Sequence, residues 1–109
     1  MKVMLFISLP MRDRTDEEIR NRQKELYRNY CKKYPDREIQ LINMFQGKPE
    51  QMTMQDMLGH ADVELLGESI SLMSYADVVL FDNGWENYPG CRIEHKVCTY
   101  YNLPVEYAR

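Results

Sequence analysis

Three segments of the chain carry side chains that could act chemically on a small molecule. Ser8 and Arg12 come just after an apolar run and supply a hydroxyl and a guanidinium group near the start of a helical pattern. Asp82 and Asn83 follow a second apolar run, and the glycine-rich segment 84–95 then brings in a further carboxylate. Hydroxyl, amide and guanidinium groups at a helix start bind anions, whereas a carboxylate can act as a nucleophile.

Glu94 is the strongest candidate for a catalytic group. A helix is predicted from Cys91 to Tyr101, which places Glu94 about three residues into it, after Gly90. The free N–H groups and the dipole of a helix start favour the ionised carboxylate. Near a sugar carbon, such a carboxylate can attack an oxocarbenium-like centre and form a covalent glycosyl intermediate. The alternative is that Glu94 only satisfies the helix N-terminus, as acidic residues often do.

The loop after the first apolar run is predicted to bind the anionic or polar end of a ligand. Ser8, Met11 and Arg12 are its candidate contact residues. For Arg12, the alternative is a solvated arginine near the acidic start of the next helix. The sequence contains no P-loop and no Gly-x-Gly-x-x-Gly pattern, so the signatures of ATP and dinucleotide binding are absent.

Asp82, Asn83 and Trp85 are predicted to contact the same ligand. The two polar side chains leave their strand directly and could hold sugar hydroxyls, although Asp-Asn-Gly is also simply a good turn sequence. Trp85 is the only tryptophan, and its ring could either stack on a planar base or close the edge of the core.

The bulk composition excludes several classes of protein. Residues 1–109 are enough for a single domain, and a net charge of -3 argues against a nucleic-acid polymer as partner. No apolar run approaches the roughly 20 residues of a membrane span. Three cysteines, an odd number without framework spacing, predict a cytoplasmic location. No cluster has metal-ligand spacing, and neither a metal nor another cofactor is predicted.

Strands and helices alternate along the chain, as their apolar periodicities indicate. The first helix is predicted to open with a capping box at Thr15 and Glu18, with Arg20, Arg22, Lys24, Glu25 and Arg28 on its solvated face. The predicted order is a strand at 3–8, a helix at 15–34, a strand at 38–43, a helix from about Thr53 to Tyr75, a strand at 76–81, a helix at 91–101 and a strand at 104–107. This alternation predicts a parallel sheet with helices on both faces.

The carboxyl ends of parallel strands are where such sheets bind ligands. The segments Ser8–Arg12, Asn43–Lys48 and Asp82–Glu94 each follow a predicted strand and should therefore meet at one edge. Asp77 lies at the opposite end of its strand, so we expect it to be structural.

The stretches Phe6–Arg12, Ala76–Phe81 and Gly84-Trp85-Glu86 through Gly90-Cys91-Arg92-Ile93-Glu94-His95 resemble a known family. The sequence resembles the small bacterial and phage domains of unknown function numbered 4406, over nearly the whole chain. Those domains are similar to the nucleoside 2-deoxyribosyltransferases and the nucleotide N-glycosidases.

This resemblance implies a flavodoxin-like α/β/α fold with a four- to five-stranded parallel sheet, and N-glycosidic bond chemistry on a nucleoside or nucleotide. Glu94, a few residues after Gly90, matches the nucleophilic glutamate, and Ser8 and Arg12 match the loop that contacts the sugar or the 5′-phosphate. With this chemistry, Asp82 and Asn83 are expected to hold the sugar or to help protonate the leaving base. The resemblance also implies association, most simply as a homodimer. A non-catalytic nucleotide-binding regulator and a protein-interaction module are the alternatives, since fold alone does not imply function.

Overall fold

The computed structural model of the protein describes residues 1–42 and 62–108, with side chains of its second helix described from residue 66 onward. Three expectations lie outside the described residues. They concern the segment Asn43–Lys48 after the second strand, the helix start near Thr53, and His60, which we expect on a helix surface.

The described residues form alternating strands and helices in the predicted order. The elements are β1 (Lys2–Ser8), α1 (Asp16–Lys33), β2 (Glu38–Leu41), α2 (Asp62–Met73), β3 (Val78–Phe81), a short 3-10 helix (Trp85–Asn87), α3 (Pro89–Tyr101) and β4 (Val105–Tyr107). None of the helices within these described ranges is long and apolar enough to cross a membrane.

The four strands form one parallel sheet in the order β2-β1-β3-β4. Along the chain, β2 pairs with one side of β1, and β3 then pairs with the other side of β1. The strand order therefore reverses between β1 and β3, where Ser8 lies opposite Phe81 in the register. In parallel sheets of this kind, the crevice at the carboxyl ends of the two strands next to the reversal is the usual ligand site.

Both faces of the sheet are covered by helices. Successive side chains of a strand point to opposite faces, so each buried strand presents apolar side chains to both helix layers. On one face, Ile19, Leu26 and Tyr30 of α1 pack into a cluster with the sheet. On the other face, Met73 of α2 and Cys98 of α3 do the same. The predicted flavodoxin-like three-layer α/β/α fold is thus confirmed.

Local interactions fix the start of α1 and the start of β3. The capping box of α1 is present: Thr15 Oγ1 accepts a hydrogen bond from Glu18 N at 3.1 Å, and Glu18 Oε1 accepts one from Thr15 N at 3.3 Å. Asp77 ties the start of β3 to β1, since its Oδ2 accepts a hydrogen bond of 2.8 Å from Met4 N. The expected structural role of Asp77 is confirmed.

Candidate functional site

The end of β1 and the second turn of α3 bring Ser8 and Glu94 into direct contact. The Ser8 hydroxyl donates a hydrogen bond of 2.7 Å to Glu94 Oε1, and both side chains are buried. Ser8 faces α3 because it follows Phe6 by two residues, and Phe6 packs in that layer. These two predicted site residues therefore meet next to the point where the strand order reverses.

α3 begins at Pro89, two residues before the predicted start at Cys91. Proline suits the first helical position because its φ is fixed and its missing N–H would be unpaired there in any case. Glu94 is consequently the sixth residue of α3, beyond the four N–H groups that a helix start leaves unpaired. The expectation that free N–H groups favour ionised Glu94 is wrong, and so is the alternative that Glu94 caps the helix.

Burial raises the pKa of the Glu94 carboxyl to about 7, while the hydrogen bond from Ser8 acts in the opposite direction. The side chain is only 6 % exposed, so the loss of hydration of the charged form outweighs one hydrogen bond. At neutral pH, Glu94 can therefore act either as a nucleophile in its ionised form or as a proton donor in its protonated form. Carboxyl groups with such pKa values are concentrated at functional sites.

Gly90 adds no side chain to the face of α3 that carries Glu94. It lies four residues before Glu94, on the same face of α3 and one turn nearer to the carboxyl edge of the sheet. A Cβ atom added at Gly90 would find nothing within 4 Å among the described residues beyond its own stretch of helix. Among the described residues, space is therefore open beside Gly90, whereas Glu94 itself is only 6 % exposed.

Asp82 is enclosed on the α1 side of the sheet and is paired with Arg22. Arg22 Nη2 donates to Asp82 Oδ1 at 2.8 Å and Arg22 Nε donates to Asp82 Oδ2 at 3.1 Å. Asp82 is 2 % exposed, so its carboxylate presents almost no surface to a ligand. The predicted contact between Asp82 and a sugar hydroxyl would require Arg22 to move away.

Arg22 is a residue of this region that the sequence pattern missed: its side chain is 28 % exposed, but its guanidinium group binds Asp82 instead of being fully solvated on the first helix. Arg22 is three residues after Ile19 and four before Leu26, and both of these are buried. This spacing places Arg22 beside the buried stripe of α1, and it is the signal that could have identified the residue.

In the loop between β1 and α1, Arg14 rather than Arg12 approaches Asp82. Arg14 Nη1 lies 3.9 Å from Asp82 Oδ2, whereas Arg12 lies at an exposed position. A turn separates the two arginines, closed by a hydrogen bond of 3.2 Å from Arg14 N to Met11 O. Met11 itself is half-buried against the core on the α1 side. The ligand contacts expected of Met11 and Arg12 stay predictions.

Asp82 also stabilises the turn by which the chain leaves β3. Its Oδ1 accepts a hydrogen bond of 2.7 Å from Asn83 N, and its carbonyl oxygen accepts one of 3.3 Å from Trp85 N. Gly84 has a φ of 85°, a left-handed conformation that costs glycine little. Asn83 is exposed on this turn, where its amide group can reach a ligand.

Trp85 closes the edge of the core and stacks on His95. The two ring centroids are 4.1 Å apart at an interplanar angle of 18°, and the Phe81 ring centroid lies 5.4 Å from that of Trp85. His95 Nε2 lies 2.7 Å from Tyr107 Oη, so His95 is directed towards β4. His95 covers one face of the indole, and the Tyr107 ring centroid lies 6.1 Å from the Trp85 ring centroid.

A groove of about 350 Å³ lies between α1 and the β3–β4 edge of the sheet. Arg22, Asn83 and Tyr107 line it, but Ser8 and Glu94 do not. The turn after β3 therefore lies between this groove on the α1 side and the helix layer that contains α3 and Glu94 on the other side.

Known proteins supply no assignment for this arrangement. No protein family, curated protein or solved structure matches the chain. Its function is therefore inferred from the chemistry of the Ser8–Glu94 pair and of the residues around it.

Cys91 lies beside the Ser8–Glu94 pair but is not suited to act as a nucleophile. Burial raises the pKa of its thiol to about 11, so the reactive thiolate is scarce at neutral pH. Cys31, Cys91 and Cys98 are all free thiols. Within residues 1–42 and 62–108, no three His, Cys, Asp or Glu side chains are placed to share a metal ion.

Proposed function

We propose that the protein cleaves or transfers the N-glycosidic bond of a (deoxy)nucleoside or a nucleoside 5′-monophosphate, with Glu94 as the nucleophile. The observation that carries this proposal is the buried hydrogen bond of 2.7 Å between Ser8 and Glu94, beside the reversal of strand order. A carboxylate held by one hydroxyl at a ligand-binding edge, with open space one turn away at Gly90, can reach a sugar carbon.

The proposed reaction has two steps. Glu94 Oε2 attacks C1′ of the sugar while the bond from C1′ to the base nitrogen breaks, and the electron pair of that bond leaves with the base, which takes a proton from water. A water molecule or a second base then attacks C1′, loses a proton to the solvent and releases Glu94 as a carboxylate, so that the proton taken up in the first step is returned. The first alternative is hydrolysis and the second is transfer.

The Ser8 hydroxyl supports the first step because it donates to the ionised form of Glu94 and lowers the pKa of this carboxyl against the effect of burial. Asp82 is not proposed as the acid that protonates the base, since both of its oxygens accept hydrogen bonds from Arg22. Asn83, the exposed polar residue on the turn after β3, is proposed to hold a sugar hydroxyl.

Trp85 and Arg12 are proposed to bind the two ends of the ligand. The indole would contact the base with the face that His95 leaves uncovered. Arg12, at an exposed position four residues after Ser8, would reach the 5′ end, and a phosphate there would make a monophosphate the preferred substrate.

A non-catalytic nucleotide-binding protein is the second candidate function. The observation that favours it is the burial of Glu94, which is only 6 % exposed; burial raises the pKa of its carboxyl to about 7, so part of the population is protonated at neutral pH. Protonated Glu94 is a hydrogen-bond donor rather than a nucleophile, and it would suit a site that only holds a ligand.

The proposal also includes a cytoplasmic homodimer. The exposed aromatic side chains of Tyr100 and Tyr101 at the end of α3 are compatible with such an association. Sedimentation equilibrium would measure it directly, and a monomeric mass at all concentrations would contradict it.

Base release and thermal stabilisation separate the two candidate functions. The protein is incubated with each deoxynucleoside and each deoxynucleoside 5′-monophosphate, and free base is measured by chromatography. We expect release of base from at least one of them. A nucleotide that raises the melting temperature without any release would favour the binding protein, because a ligand of the native state stabilises it by mass action.

Replacement of Gly90 by Ala is expected to preserve the fold and weaken ligand binding. Alanine has the better helix propensity, so the free energy of unfolding should stay equal or rise by up to about 1 kcal/mol. The new methyl group would occupy the space one helical turn N-terminal to Glu94. It should raise the KM for the nucleotide from which base is released fastest. Urea denaturation and steady-state kinetics measure the two effects, and an unchanged KM would contradict entry of the ligand over Gly90.

A further inference from the structure

We infer that Arg22 is a positioning residue for the candidate site. It acts through Asp82 on the turn that carries Asn83 and Trp85. The inference rests on the proposed function, because this turn is where the sugar and the base are proposed to bind. Arg22 itself belongs to α1, in the opposite layer from Glu94.

Asp82 connects three parts of the molecule at the carboxyl edge of the sheet. Its carboxylate accepts two donors of Arg22 from α1, at 2.8 and 3.1 Å. The same carboxylate accepts Asn83 N at 2.7 Å, and the Asp82 carbonyl oxygen accepts Trp85 N. Asp82 N donates to Ser8 O at 3.1 Å, which joins the turn to the end of β1. The orientation of Asp82 therefore sets the start of the turn.

Arg22 fixes that orientation because a guanidinium group is a planar fork. Its two donors grip both oxygens of a carboxylate and so define the plane of the carboxylate, whereas an ammonium group binds as a point charge. The hydrogen bond to Asp82 is also the main reason that the pKa of Arg22 is raised. Arg14 lies 3.9 Å from Asp82 and supplies charge without a hydrogen bond of the same geometry.

The rival explanation is that Arg22 only neutralises a buried carboxylate. Trp85 also contacts Phe81 and His95, and these rings could hold it in place without Arg22. The two explanations predict different results for a variant that keeps the positive charge but cannot donate two parallel hydrogen bonds to the carboxylate. Arg22→Lys is such a variant, and Arg28→Lys at an exposed position of α1 is its matched control.

The experiment uses Trp85, the only tryptophan, as a reporter that does not depend on turnover. Acrylamide quenching of its fluorescence is measured for the wild type, Arg22→Lys and Arg28→Lys, together with KM and kcat for base release from the best nucleotide. If Arg22 positions the turn, Arg22→Lys should increase the quenching constant about twofold and raise KM about tenfold, with kcat changed less than about threefold, because Glu94 and Ser8 are untouched. Arg28→Lys should match the wild type.

A folded Arg22→Lys variant with the quenching and KM of the wild type would overturn the inference. If that variant does not fold, the double variant Arg22→Met with Asp82→Asn removes both charges of the Arg22–Asp82 pair and leaves no buried carboxylate without its guanidinium. It should show the same increases in quenching and KM, and wild-type values would again overturn the inference. If the wild type itself releases no base, the proposed function fails, while the quenching of Trp85 still decides whether Arg22 positions the turn.

Discussion

Replacement of Glu94 by Gln is expected to lower the rate of base release by at least about 10³-fold, the scale of effect seen when a covalent nucleophile is removed. Glutamine retains the shape of the side chain and an oxygen that can accept the hydrogen bond from the Ser8 hydroxyl. It lacks the carboxylate that attacks C1′, so substrate should still bind but the first step should fail. Chromatography of the released base under saturating substrate measures the loss.

The control for this variant is Glu86→Gln. Glu86 is an exposed glutamate of the 3-10 helix in the same segment of the chain, so its substitution changes the net charge equally. We expect Glu86→Gln to release base at the rate of the wild type. Comparable rates for Glu94→Gln and the wild type would contradict the role of Glu94, and would leave direct attack by water as the simpler explanation.

The stability of the wild type is expected to fall relative to Glu94→Gln as the pH rises from about 4.5 to 7. The pKa of Glu94 is about 7 in the folded chain and 4.5 in the reference state, so the native protein binds more protons between these values. A carboxyl with a raised pKa stabilises the protein fully below the lower value and loses this contribution as pH rises through the upper value. The total change is about 3 kcal/mol in the free energy of unfolding.

Urea denaturation of both proteins at pH 5, 6, 7 and 8 measures this change. Near pH 5 the two proteins should have similar stability, and near pH 8 Glu94→Gln should be the more stable. Effects of all other titrating groups cancel in the difference, because only Glu94 is changed. A difference that stays constant across this range would show that the pKa of Glu94 is not raised by burial.

Together, the two predictions for Glu94→Gln describe a site that lowers the stability of the fold. At neutral pH the buried carboxylate costs folding free energy, and the same carboxylate is the proposed nucleophile. A variant that is more stable and inactive is therefore the expected result for one substitution. Such opposition between stability and activity is common where a charged group is buried for catalysis.

The fold and the Ser8–Glu94 pair were accessible from the sequence because they follow general rules. Alternation of apolar runs and helical stripes predicts a parallel three-layer fold, and the carboxyl ends of its strands converge at one edge. Ser8 ends the first strand, and Glu94 follows the third strand after a glycine-rich loop. The rule brings these two residues together without any knowledge of their hydrogen bond.

The start of α3 could not be fixed in this way. Pro89 and Gly90 are both common in turns, so the local pattern favours a loop until Cys91. Proline is equally suited to the first helical position, and the folded chain uses it there. The two additional residues move Glu94 into the second turn, where burial rather than the helix dipole determines its pKa.

The partners of Asp82 were missed for a different reason. Arg22 and Asp82 are 60 residues apart, and a charged residue on an amphipathic helix is normally solvated. Only the assembled sheet shows that Asp82 points to the α1 side, where the border of the buried stripe supplies a guanidinium group. An ion pair between a buried carboxylate and a partly exposed guanidinium depends on tertiary structure, which periodicity does not report.

The most direct test of Glu94 as the nucleophile is the intact mass of the protein after acid quenching during turnover. We expect a fraction of the wild type to have a mass increased by one (deoxy)ribosyl group, or by one (deoxy)ribosyl 5′-phosphate group where a monophosphate is the substrate. The peptide that contains Glu94 should carry the addition, and Glu94→Gln should show none. Release of base with an unmodified Glu94 peptide at every quench time, or an adduct on another residue, would contradict Glu94 as the nucleophile.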